Sequence, residues 1–380
     1  MPTATASRYS LLRRQVLERQ QKENLELNDR EWQEGRIILA SVPSVFFIQV
    51  HAACNADCIF CSRGTDYPLF RLDDYLARFG NQLAPVLRRA RQIVLSGSGE
   101  FLGLPDAERI LAYFNREFPH VDKYIATNAS HLTPRMCDLI ADSGSRYTLQ
   151  LSLHASDAQT QKMMMRYDAF ERVRENIGYL MKRRGATGIP AVHFMFIMTT
   201  LNAEKLPDFI RWSKKMGADK VMAGYFYIYE AQQKYLSLYF KQDLANRCID
   251  AARKVAEKIG MPIDLPHKFG QTGPQPDASG LEARCREPWS QFMFSADGRV
   301  LPCDVYGKFE ESLAEKSFME IWNGPHYRAI RRELRAGTGC FQVCPRRNPV
   351  GVNDWKAHVI HRPKEPQQIA KEYEEAMKRP

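Results

Sequence analysis

No apolar run in this 380-residue chain approaches the about 20 residues needed to cross a bilayer; the best candidate, Ala191 to Met198, is far too short. The N-terminus is polar and charged and has no apolar stretch of the secretory-leader kind. No transmembrane segment is expected. Nine cysteines in a chain without a leader are expected to stay reduced, which points to the cytoplasm. The aromatic signature of RNA-recognition sheets and the regular spacing of zinc fingers are also missing, which disfavours nucleic acid as a partner. The net charge of +10 suits a nucleic acid, an acidic lipid surface or a phosphorylated substrate, but equally a solvated basic surface. Ser7 to Asn24 (SRYSLLRRQVLERQQKEN) is a basic, loosely amphipathic helical pattern that could lie on a membrane surface or pack on the rest of the fold.

What the chain does have is alternation. Its 44% hydrophobic content is ordinary for a globular protein with a buried core. Strand-like apolar runs fall at Val45 to Val50, Gln92 to Leu95, Tyr124 to Thr127, Tyr147 to Ser152, Val192 to Met198 and Lys220 to Tyr227. Helical patterns separate them, the longest running from about Asp157 to Arg183. Six strands alternating with helices predict parallel βα units, closed most economically as a partial (βα)6 TIM-like barrel of the α/β class.

The first strand delivers His51-Ala-Ala-Cys-Asn-Ala-Asp-Cys-Ile-Phe-Cys, in which Cys54, Cys58 and Cys61 are spaced C-x3-C-x2-C. Three thiolates on one loop can wrap one corner of an iron-sulfur cube. An ordinary [4Fe–4S] cluster takes four cysteines, so one iron would keep free positions for a ligand that is not protein. The alternative is a zinc site, for which His51 could supply the fourth ligand.

The motif resembles that of the radical S-adenosylmethionine (radical SAM) enzymes, and Phe60 before the third cysteine fits the same family. The resemblance implies a [4Fe–4S] cluster on three cysteines, with SAM chelating the unique iron and Phe60 near the adenine. Gly97, Ser98, Gly99 and Glu100 follow the second strand where the family carries a Gly-Gly-Glu type motif meeting the amino group of SAM. Ser98 and the following Phe101 depart from its usual glycine and proline. Thr127, Asn128 and Ser152 end the third and fourth strands, where similar enzymes hold ribose and carboxylate. Arg166 resembles the arginine that binds the SAM carboxylate in the subgroup with a SPASM or twitch extension; an arginine fork suits a carboxylate.

His154 lies two residues beyond Ser152 and could shuttle a proton. In Tyr225-Phe-Tyr-Ile-Tyr-Glu230, alternate tyrosines would share one face of a pocket, with Tyr227 lining it and Glu230 available as a base. Residues 265–284 are rich in Pro, Gly, Gln and Ser and mark a linker. Beyond it, Cys285, Cys303, Cys340 and Cys344, with Pro288-Trp289, a D-G-x-V-x-P-C hairpin and Ile321-Trp-Asn-Gly324, resemble the SPASM/twitch module. That implies one auxiliary [4Fe–4S] cluster with four protein ligands, suited to electron relay. The expected division is 1–44 a helical extension, 45–264 the barrel, 265–284 the linker, 285–345 a small α+β iron-sulfur module, and 346–380 a basic tail.

The resemblance implies an enzyme that reductively cleaves SAM, abstracts a hydrogen atom, and oxidises or rearranges a small polar metabolite of sugar, aminocyclitol or nucleotide type. It would need a reductant such as flavodoxin or ferredoxin. A peptide-modifying enzyme is the alternative within the family. A zinc protein that binds nucleic acid is the alternative outside it.

Overall fold

The structure, a computed structural model, describes residues 4–50, 53–61, 68–97, 99–271, 285–302, 311–337 and 358. Its centre is one sheet of nine strands: β1 (Val45–Gln49), β2 (Gln92–Ser96), β3 (Asp122–Thr127), β4 (Tyr147–Ser152), β5 (Ala191–Met198), β6 (Lys220–Tyr225), β7 (Ile263–Asp264), β8 (Gln291–Ser295) and β9 (Val300–Leu301). Their order across the sheet is β7-β6-β5-β4-β3-β2-β1-β8-β9. Neighbours are parallel except β8 and β9, which form the expected hairpin. Among the described residues β7 and β9 stand at the two ends of the strand order, as in a partial barrel.

Strand alternation explains the two faces. In β1, Phe46 and Ile48 are fully buried toward the helices, where Phe46 lies 6.0 Å from Phe318 of the helix Phe318–Trp322. Phe47 and Gln49, the alternate residues, face the interior and line a cavity at the C-terminal end of the strands. Ligand sites gather at that end because the strands feed their loops there.

β8 belongs to the segment expected to form the small module, yet it extends the same sheet. It pairs in register with β1, Phe47 opposite Met293, and all five of its residues are buried. The turn into β9 uses Gly298 at φ +90°, and a Cβ there would come within 2.7 Å of Phe79.

The helix Ala4–Gln33 is packed rather than loose. Asn24 donates to the carbonyls of Val42 and Arg89, and Asn28 to that of Trp289. Glu31 accepts the backbone N–H groups of Ala40 and Ser41. From the other side, Arg331 of the helix Pro325–Arg335 is fully buried and donates to the carbonyls of Ile37 and Pro288, both at 2.9 Å. Segment 36–42 thus joins the first and last described helices to the sheet through buried side chains that bond its backbone, although Asn28 Oδ1 and Arg331 Nη2 are buried without a hydrogen-bond partner among the described residues.

The helical pattern read from Asp157 to Arg183 is two helices, Ala158–Met165 and Phe170–Arg184, broken at Arg166, which takes a left-handed conformation at φ +49°. The break leaves the carbonyls of Met164 and Met165 without helical partners, and the cysteine loop uses both.

Candidate functional site

Backbone N–H groups of Asp57 and Ile59 donate to the carbonyls of Met165 (2.9 Å) and Met164 (3.0 Å). The cysteine loop therefore rests on a helix end. Its other anchor is Asn55, whose amide donates to Ser130 Oγ (2.8 Å) and Tyr167 Oη (2.9 Å) and accepts from Asn128 Nδ2 (2.9 Å). Cys54, Cys58 and Cys61 are half-buried to exposed, and all three line the cavity of about 520 Å³ at the strand ends. Among the described residues, no three His, Cys, Asp or Glu side chains converge on a single ion.

Across the cavity stands Glu100, 3% exposed. Its Oε1 accepts from Thr127 Oγ1 (2.6 Å) and the Leu102 N–H (3.2 Å), its Oε2 from the Asn128 N–H (2.7 Å). Burial nevertheless raises its pKa above the ordinary carboxylate value, and these three bonds only partly offset that. A carboxylate whose charged form is disfavoured by burial gains from a cation placed beside it. The backbone N–H of Glu100 also donates to the carbonyl of Ala53, which fixes the turn to the start of the cysteine loop.

Gly97, Gly99, Thr127, Asn128, Ser152 and Phe60 line the same cavity, so the turn after β2 and the ends of β3 and β4 meet as the sequence suggests. Ser98 lies outside the described residues. Tyr227 also lines the cavity, together with Tyr225, Phe226 and Tyr229. β6 ends at Tyr225, so this wall is a turning segment and not one strand face.

Three placements differ from expectation. Arg166 is exposed, pairs with the equally exposed Asp57 at 3.3 Å, and does not line the cavity. Its left-handed backbone, at the end of the helix that supports the cysteine loop, turns the side chain along that loop. Glu230 is exposed at the start of the 3-10 turn Ala231–Leu236, where Gln232 donates to its carboxylate, and it is no base for the cavity. His154 does line the cavity but is 4% exposed, and burial pulls its pKa down to about 3. A ring that stays neutral at working pH is unsuited to shuttling protons.

Sequence reasoning missed Asn55, Gln49, Ile197 and Met293. Gln49 was the one polar residue in the apolar run VFFIQV, a signal that it faces something other than core. Met293 comes from β8 and had no local signal. Of the second constellation, Cys285 is buried beside the Glu287 carboxylate, while Cys303, Cys340 and Cys344 lie outside the described residues.

Two family models match the chain: the radical SAM superfamily over residues 48–213 and the iron-sulfur cluster-binding domain over 285–346. No curated protein matches it by sequence. Among solved structures it is similar to Streptococcus suis SuiB bound to S-adenosylmethionine (16% identity, 78% of this chain and 69% of that one, TM-score 0.60). It is also similar to SuiB bound to its precursor peptide SuiA (16%, 81% and 71%, 0.59) and to anSMEcpe with bound AdoMet (14%, 88% and 96%, 0.60). At these identities the likeness speaks for the fold. No helix among the described residues is long and apolar enough to cross a membrane.

Proposed function

Because the chain belongs to the radical SAM superfamily and carries a C-terminal SPASM iron-sulfur module, with [4Fe–4S] clusters and SAM as its cofactors, we propose that it oxidises or rearranges a small polar metabolite of sugar, aminocyclitol or nucleotide type. Bound together, cluster and SAM supply a 5'-deoxyadenosyl radical that takes a hydrogen atom from the substrate. The protein's part is to hold and orient. Cys54, Cys58 and Cys61 hold the cluster on the loop docked to Met164 and Met165. Glu100, kept in place by Thr127 and Asn128, meets the cationic amino group of SAM.

The carrying observation is that three cysteines from one loop and a buried carboxylate, its pKa raised by burial, line one cavity. Gln49, Ser152 and Tyr227 add uncharged hydrogen-bonding groups suited to hydroxyls. Cys285, Cys303, Cys340 and Cys344 would hold a fully ligated cluster in the module 285–345, which accepts or relays an electron. Flavodoxin or ferredoxin in the cytoplasm would supply the first one. A small metabolite fits a cavity of about 520 Å³ that must also take SAM.

A second reading, peptide modification, is favoured by one observation: similar folds, SuiB and anSMEcpe, are seen with bound peptides. The deciding experiment incubates reconstituted protein with reductant, SAM and deuterated candidates of both classes. Deuterium is expected in 5'-deoxyadenosine with the true substrate class. Cleavage of SAM without transfer from any metabolite, and with transfer from a peptide, would replace the first reading by the second.

A further inference from the structure

His154 has a role still to be assigned. It sits just past β4 at φ +60°, and its Nδ1 accepts the backbone N–H of Ile197 at 3.0 Å. A backbone N–H can only donate, so Nδ1 carries no proton and the ring's single proton is on Nε2. The residue is held on other sides too. Its carbonyl accepts from Asn202 Nδ2 (3.2 Å), a side chain 1% exposed that also donates to the Ile197 carbonyl (2.9 Å). Its ring stands edge to face with Phe60 at 4.7 Å. Among the described residues no protein acceptor meets Nε2, and the ring lines the cavity.

The surroundings state what such a donor would meet. Phe60, Ile197, Phe226 and Tyr229 form a continuous apolar group on this side of the cavity. Glu100 and the thiols, which suit the charged amino-acid half of SAM, come from the loops after β2 and β1. The nucleoside half must then extend toward the ends of β4, β5 and β6. An apolar slot with one fixed N–H donor at its edge matches a neutral heteroaromatic ring bearing in-plane nitrogen acceptors.

We propose that His154 is a positioning residue for the nucleoside half of SAM, its Nε2–H donating one hydrogen bond to a ring nitrogen of the adenine. This rests on SAM occupying the cavity as read above. His154→Asn is the informative variant. Its Oδ1 falls where Nδ1 sits and can still accept the Ile197 N–H, asparagine tolerates positive φ, and no atom remains at the Nε2 position. His154→Ala is the second variant.

Equilibrium binding to the reconstituted protein would be measured for SAM, 5'-deoxyadenosine and methionine, with iron content and melting temperature as controls. One neutral hydrogen bond implies that His154→Asn weakens SAM and 5'-deoxyadenosine by the same factor, about 3- to 10-fold. Methionine binding, iron content and melting temperature should hold. Affinity within twofold of wild type in both variants, or a loss shared by methionine, overturns the proposal while leaving the SAM site standing. Failure of the wild-type protein to bind SAM at all removes both.

Discussion

Replacing Glu100 by glutamine separates binding from stability, and the structure gives the size of each effect. In the protein without ligand the carboxylate is buried, and its pKa is raised by desolvation. A group whose folded pKa lies above its unfolded value contributes stability that is complete below the unfolded pKa and is lost as pH rises through the folded one. Once pH rises far enough to ionise Glu100 its burial is therefore a cost, one that glutamine removes. Against this, the glutamine oxygen can keep the bonds from Thr127 and Leu102, but its amide would confront the Asn128 N–H now 2.7 Å from Oε2, a loss of about 1–3 kcal/mol. The two effects oppose, so the melting temperature of Glu100→Gln should move by no more than about 4 °C. SAM affinity has no such compensation. Losing a charge-assisted bond to its amino group, worth about 1.5–3 kcal/mol, weakens binding about 10- to 100-fold. Titration of SAM into the anaerobically reconstituted variant, beside a thermal melt, reads both. Affinity within threefold of wild type would refute the role of Glu100, and a melting temperature lowered by tens of degrees would show that the residue serves the fold.

Changing Cys54, Cys58 and Cys61 together to alanine should leave about four irons per chain instead of about eight, with SAM no longer perturbing the remaining cluster's spectrum. An unchanged iron count would show that the loop holds no cluster. At the opposite end of the sheet, Lys123 is fully buried, donates to the Phe118 carbonyl (2.5 Å) and Ser145 Oγ (2.9 Å), and has its pKa pulled down by desolvation to about 7. The folded state then binds fewer protons than the unfolded one between about pH 7 and 10, so its stability rises with pH across that window, by up to about 4 kcal/mol. The denaturation midpoint of wild type should rise relative to that of Lys123→Met as pH goes from about 7 to about 9.5, and parallel curves would count against the buried, neutral lysine.

Much of this was legible in one dimension because it depends on local patterns. Val45 to Val50 reads as a strand from its apolar run, and Ala-Asp-Gly between Phe294 and Arg299 reads as a turn because the structure there needs a residue without a Cβ. Thr127 and Asn128 were recognisable as strand-end polar groups. Arg166 and Glu230 lie away from the cavity lining for the same reason in both cases: sequence gives the chemistry of a side chain but not the direction in which the backbone presents it. Arg166 turns along the cysteine loop from a left-handed residue, and Glu230 stands at the start of a 3-10 turn outside the cavity.

The amino-acid sequence by itself determined the order of βα units, the three-thiol loop at the end of the first strand and the acidic turn after the second, since periodicity and spacing are properties of neighbours along the chain. Tertiary structure alone decided how that loop is held. The helix that the pattern would carry on to Arg183 stops at Met165, where Arg166 takes a left-handed conformation, and the helix-end carbonyls of Met164 and Met165 accept the N–H groups of Asp57 and Ile59. Residues more than a hundred positions apart satisfy one another's backbone groups there, and only the folded sheet brings them within reach.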